Sequence, residues 1–196
     1  MTTGSPDKLL ARIRRCSECE GLPLGPRPLL QAAASARILI AGQAPGRVAH
    51  ESGIPFDDRS GDRLRDWLGV DRETFYDPSR IAIVPMGFCF PGTGSGGDLP
   101  PRAECAPRWR EAVLSLLSSV ELTVLIGLHA QRWHLADRCG RTLSDNVARW
   151  REFWPAQMPL PHPSPRNQYW IRKHPDVTEA MLPSLKRRVS EILDAG

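Results

Sequence analysis

No stretch of this sequence approaches the ~18 consecutive apolar residues of a membrane span. Met1 to Lys8 is polar and lacks the apolar core of a secretion signal. The expectation is a cytoplasmic protein with no membrane partner. There is no internal repeat and no low-complexity tract, which excludes solenoid, collagen-like and disordered classes. Neither sign of charge dominates: 26 Lys and Arg face 22 Asp and Glu, a net charge of +4. That mild excess suits a polyanion partner without demanding one. Cysteine stops at five, and a reducing compartment favours reduced, buried or metal-bound thiols over disulfides. Proline and glycine are plentiful, 19 and 16, which predicts long, specific loops. A chain of 196 residues can bury a real core without staples, so one domain over 1–196 is expected.

Hydrophobic periodicity orders the elements. Asp7 to Arg15 reads as a short helix and Arg37 to Ala41, closed by Gly42, as a buried strand. Ser60 to Gly69 predicts a capped helix, Ile81 to Met86 a strand and Trp109 to Leu117 a helix. Leu122 to Gly127 is another strand, His129 to Cys139 a helix, Gln157 to Leu160 a last short strand, and Val177 to Leu193 a closing helix despite Pro183. This alternation predicts an α/β fold, a three-layer α/β/α sandwich around a short, mainly parallel four-stranded sheet.

Ligands of such sheets bind at the carboxyl ends of the strands. Three loops there are unusual: Gly42-Gln43-Ala44-Pro45-Gly46, the Gly/Pro-rich run from Phe88 to Cys105, and His162-Pro163-Ser164-Pro165-Arg166-Asn167. With Ile54-Pro55-Phe56, this ordered set resembles the uracil-DNA glycosylase superfamily over roughly Cys16 to Arg172. Cys16-x-x-Cys19, Cys89 and Cys105, with the Gln43-Ala44-Pro45-Gly46 loop, are similar to the iron–sulfur (family 4) glycosylases. The late loop and Arg65-Asp66-Trp67-Leu68-Gly69 resemble instead the single-strand-selective uracil glycosylases.

The resemblance implies a monofunctional DNA glycosylase acting on uracil in single- or double-stranded DNA, as a monomer, with no lysine Schiff base. It implies that Cys16, Cys19, Cys89 and Cys105 hold a [4Fe–4S] cluster that ties loops together; zinc, to which soft sulfur is also suited, and no metal at all are the alternatives. His162 would stabilise the anionic leaving base. Phe56 would stack on the uracil, and the backbone of Gly42, Ala44, Pro45 and Gly46 would approach base and water. Ser164 would grip a phosphate, with Pro163, Pro165, Arg166 and Asn167 meeting the DNA and Arg166 filling the gap left by the flipped base. Cys139, on a predicted helix, is expected in the core.

Two departures bear on mechanism. Gln43 and Ala44 stand where relatives carry a water-activating carboxylate; the Gln43 amide could still orient the water, but an amide is a poor general base. Asp58 first and Asp57 second are the carboxylates that could replace it, since Asp58-Arg59-Ser60-Gly61-Asp62 resembles a segment of another branch (family 5); both residues are also plausible helix caps. Pro85, Met86 and Gly87 occupy the positions where a base-reading Asn is expected, which leaves open a different deaminated base. A non-catalytic reader of uracil or abasic DNA is the rival of another class.

Overall fold

The computed structural model describes residues 6–195. After α1 (Pro6–Arg14) and a long loop, the chain forms β1 (Ile38–Ala41), α2 (Arg47–Ser52), α3 (Arg59–Leu68), α4 (Arg72–Tyr76) and β2 (Ile81–Ile83). A short hairpin, β3 (Thr93–Gly94) and β4 (Gly97–Asp98), precedes α5 (Cys105–Leu114), β5 (Leu122–Ile126), α6 (Leu128–Leu135) and α7 (Leu143–Ala148). The chain ends with β6 (Gln157–Leu160), α8 (Gln168–Arg172) and α9 (Leu182–Asp194).

Among the described residues the main sheet has four strands, ordered β2-β1-β5-β6 and all parallel. β1 is buried along its whole length, which is why it reads as a continuous apolar run instead of an alternating one. Its pleat divides the core. Ile38 and Ile40 join Leu64, Leu68, Leu185 and Val189 on one side, while Leu39 meets Leu10, Ile13, Trp109 and Val113 on the other. The three layers expected from the sequence are therefore present: α3 and α9 cover one face, α1 and α5 the other.

Local chemistry moves several boundaries. Pro183 does not interrupt the closing helix; it lies in the first turn of α9, where its missing N–H costs nothing. Residues Val177–Met181 before it form a wider π turn. The helix expected to run to Cys139 stops at Leu135, where Ala136 takes a positive φ of 47°. Helix α5 begins four residues earlier than Trp109, at Cys105 itself. The β3–β4 hairpin and the short helices α2, α4, α7 and α8 carry too little periodicity to be seen in the sequence.

The chain leaves β1 for β2 on one side and later returns to β5 on the other. A crevice therefore opens at the carboxyl end of β1, where the strand order reverses.

Candidate active site at the carboxyl edge of the sheet

The Gly42–Gly46 loop continues β1 into this crevice and is pinned from below. Met86 N–H donates to Gly42 O at 2.8 Å and Gly87 N–H to Gln43 O at 2.9 Å. A Cβ on Gly87 would lie 2.9 Å from Pro101 Cβ, so no side chain fits there. The positions expected to hold a base-reading Asn thus brace the first loop, and the amide hydrogens of Met86 and Gly87 are already spent. Gly46 then ends the loop at the start of α2.

Phe56 packs onto this loop. A Cβ on Gly42 would stand 3.4 Å from Phe56 Cζ, and the ring meets Phe75 edge-on at 6.4 Å between centroids. Phe56 holds a left-handed φ of 55°, uncommon for a bulky residue. The reason is α3: a Cβ on Gly61 would sit 1.7 Å from Phe56 O, so only glycine lets the helix approach the strained carbonyl. The ring is half-buried at the rim of the core.

The two candidate carboxylates part company. Asp57 Oδ1 takes Arg72 Nη2 at 2.8 Å. Asp58 caps α3, its Oδ1 accepting from Gly61 N–H at 2.9 Å. Of the two, Asp58 is the one whose charge reaches His162.

His162 follows β6 and is half-buried. Ser164 N–H donates to its Nδ1 at 3.2 Å. Burial lowers its pKa below the ordinary histidine value, only partly countered by Asp58 and Asp98. The ring is therefore neutral near pH 7, with Nδ1 an acceptor and the proton on Nε2. The loop around it is closed by several contacts: Asn167 Nδ2 donates to His162 O at 2.8 Å, Arg166 N–H to Ser164 Oγ at 3.3 Å, and Arg63 Nη1 to Pro163 O at 3.3 Å. Asn167 is thus a clamp on the loop. Pro163 is buried, whereas Pro165 and Arg166 are exposed.

Three contributors escape sequence reasoning. Arg63 on α3 holds the late loop across a hundred residues of chain. Asp98, in the Gly-rich stretch, comes up against Gly46, and its charge acts on His162. Tyr169 is 63% exposed beside the late loop, with Lys173 Nζ 4.5 Å over its ring. The signal for that last pair was in view: Arg166, Tyr169, Trp170, Arg172 and Lys173 interleave aromatic and basic residues, as surfaces that stack bases and neutralise phosphates do.

Cys16, Cys19, Cys89 and Cys105 line one cavity on the α1–α5 side. Burial raises the thiol pKa of Cys89 to about 11 and of Cys105 to about 12, opposed in each case by one backbone N–H, from Arg27 and Phe88. Phe88 N–H reaches Cys105 Sγ at 3.4 Å. Arg102 and Trp109 also line the cavity, and Arg102 Nε and Trp109 Nε1 are buried without a partner among the described residues. Four thiols with two unpartnered N–H groups on lining residues are a donor set that an anionic sulfur-bound group would satisfy. Among the described residues no three His, Cys, Asp or Glu are grouped so as to hold a metal ion.

No helix of the described residues is long and apolar enough to cross a membrane. The solution structure of a candidate uracil DNA glycosylase from Methanosarcina acetivorans is loosely similar to this chain. Its TM-score is 0.43 at 14% identity, over 81% of this chain and 98% of that one. The profile of the uracil DNA glycosylase superfamily matches residues 30–186, a span that takes in the first loop, Phe56, the hairpin and the late loop. On that match, this chain belongs to the uracil DNA glycosylase superfamily.

Proposed function

We propose that the chain is a monofunctional DNA glycosylase that hydrolyses the N-glycosidic bond of uracil in DNA and leaves an abasic site. The observation that carries this reading is His162, a neutral imidazole at the carboxyl edge of the sheet with its tautomer fixed by Ser164. Departure of the base puts negative charge on the uracil O2. A preorganised Nε2–H donor in a partly desolvated site stabilises that charge without reorganising during the reaction. Phe56 supports the flipped ring and the Gly42–Gly46 backbone approaches it closely. Ser164 Oγ, which accepts within the loop, still has its own hydrogen for a phosphate oxygen. Arg166, Tyr169 and Lys173 furnish charge and a stacking surface for the strand.

The four cysteines would hold a [4Fe–4S] cluster, supported by the shared cavity and its unspent donors. Bound there, it would supply cross-linking of the Cys16–Cys19 loop to the start of α5. No proton or electron of the hydrolysis needs it.

The test is an oligonucleotide with one uracil, single-stranded or paired with G or A, cleaved by alkali wherever the base is lost. Turnover that depends on His162 supports the reading, and DNA affinity should fall as salt rises because phosphate contacts release counterions. Binding without excision would favour the non-catalytic reader. The absence of an amide side chain at Pro85, Met86 and Gly87 favours, as second reading, another deaminated base; hypoxanthine and xanthine oligonucleotides in the same assay decide between them.

A further inference from the structure

We propose that Asp98, carried on the β3–β4 hairpin, is the carboxylate that orients the attacking water and takes its proton. The proposal deepens the glycosylase reading and rests on it. The Gly42–Gly46 loop has no acidic side chain, so a water held there needs its base from another segment. The hairpin brings one. It pairs Thr93 with Asp98 across an antiparallel register and folds back over the first loop, where Gln43 Nε2 donates to Leu99 O at 2.9 Å. A Cβ on Gly46 would lie 3.3 Å from Asp98 Oδ2, so the missing side chain at Gly46 is what admits the carboxylate. Thr93 Oγ1 donates to Asp98 Oδ1 at 3.3 Å, fixing one oxygen and leaving the other toward the loop. On its far side the hairpin touches the late loop, since a Cβ on Gly97 would stand 3.0 Å from Arg166 Nη1. Asp98 thus sits between the two loops, close enough for its charge to act on His162.

The two carboxylates singled out in the sequence are placed differently. Asp57 is held by Arg72; Asp58 has one oxygen on the α3 cap, while Asp98 alone of the three is set against Gly46. No cation is paired with Asp98 among the ion pairs of the described residues, so its free oxygen is not tied up in a salt bridge. In the step itself, the water oxygen bonds to C1′ and the C1′–N1 bond breaks. Its electron pair leaves with the base as an anion facing His162 Nε2–H. The water proton passes to Asp98 Oδ2 and from there to solvent.

The experiment compares wild type, Asp98→Asn and Asp98→Glu in single-turnover excision on one uracil oligonucleotide, with DNA affinity and thermal unfolding measured alongside. Asp98→Asn should slow excision by about 100-fold or more, the usual contribution of a general base. Its affinity and unfolding should stay near wild type, because Asp98 is exposed, and Asp98→Glu should recover part of the rate. An Asn variant that cuts at the wild-type rate, or faster through relieved repulsion of DNA, overturns the assignment. A wild-type protein that excises no uracil overturns the glycosylase reading itself, and the two failures are told apart by the wild-type lane.

Discussion

Ser164 N–H donates to His162 Nδ1 at 3.2 Å, and that single contact decides which nitrogen of the imidazole faces outward as a donor. An acceptor at Nδ1 requires a neutral ring protonated at Nε2. The sequence spacing His-Pro-Ser makes the contact local: Pro163 supplies no hydrogen, and the next amide turns back onto the ring.

On the proposed mechanism, His162→Ala removes the donor to the leaving base. Excision should fall by about 100- to 1,000-fold, the cost of losing one such hydrogen bond in an oxyanion-type site. Thermal unfolding should be little changed, since the loop retains the contacts of Asn167 and Arg63. A variant with unaltered single-turnover rate would remove His162 from the chemistry.

Acid should cost both activity and stability. Burial lowers the pKa of His129, His134 and His162, with His134, against Arg110, falling to about 3. Folded values below the unfolded value of about 6.5 mean that the unfolded chain binds more protons between them. The stability these groups contribute is therefore complete above about pH 6.5 and declines as pH falls through that window. Urea midpoints between pH 7.5 and 5 should drop, and His134→Gln should flatten the slope; a flat wild-type profile would contradict the burial argument. Activity should decline along the same limb, because a protonated Nδ1 repels the Ser164 hydrogen.

At Asp58 two roles can be separated. Asn caps a helix about as well as Asp, so Asp58→Asn should unfold near the wild-type temperature while Asp58→Ala loses roughly 1 kcal/mol. Since Asp58 raises the His162 pKa, the Asn variant should shift the acid limb of the rate profile downward. Equal profiles for the two proteins would show that the Asp58 charge does not reach the ring.

Gly61→Ala tests the seat of Phe56. Its Cβ would collide with Phe56 O, forcing α3 or the strained turn to move, at a cost of roughly 1–3 kcal/mol for such overpacking. Affinity for uracil DNA should weaken more than affinity for undamaged DNA, because on the proposed reading the flipped base is the part of the DNA that the ring meets. Unchanged discrimination would return Phe56 to an ordinary place in the core.

For the cysteines, Cys105→Ser in protein purified without oxygen should abolish visible iron–sulfur absorbance and lower the melting temperature. Single-turnover excision by the surviving folded fraction should persist. A colourless wild type with no bound iron would reject the cluster.

The buried strand Ile38 to Ala41, the glycine that ends it and the His162 loop were legible because each is short in sequence and strong in pattern. The cap at Asp58 was legible too, although its pull on His162 was not. Apolar continuity marks a strand covered on both faces, and glycine or proline marks where backbone must turn or be approached. Those signals determined the fold class and two walls of the site.

What only the tertiary structure decided lies in contacts between distant segments. Gln43 meets Leu99 across 56 positions and Arg63 meets Pro163 across 100, and no local pattern encodes either. The β3–β4 hairpin has two residues per strand, too few to show periodicity, and it lies against the first loop through Gln43 and Leu99. Asp98 looks like one more polar residue in a glycine-rich run until that docking sets its carboxylate against Gly46. Local residue chemistry sets where the chain can turn, while packing of the completed sheet and its helices sets which turns meet.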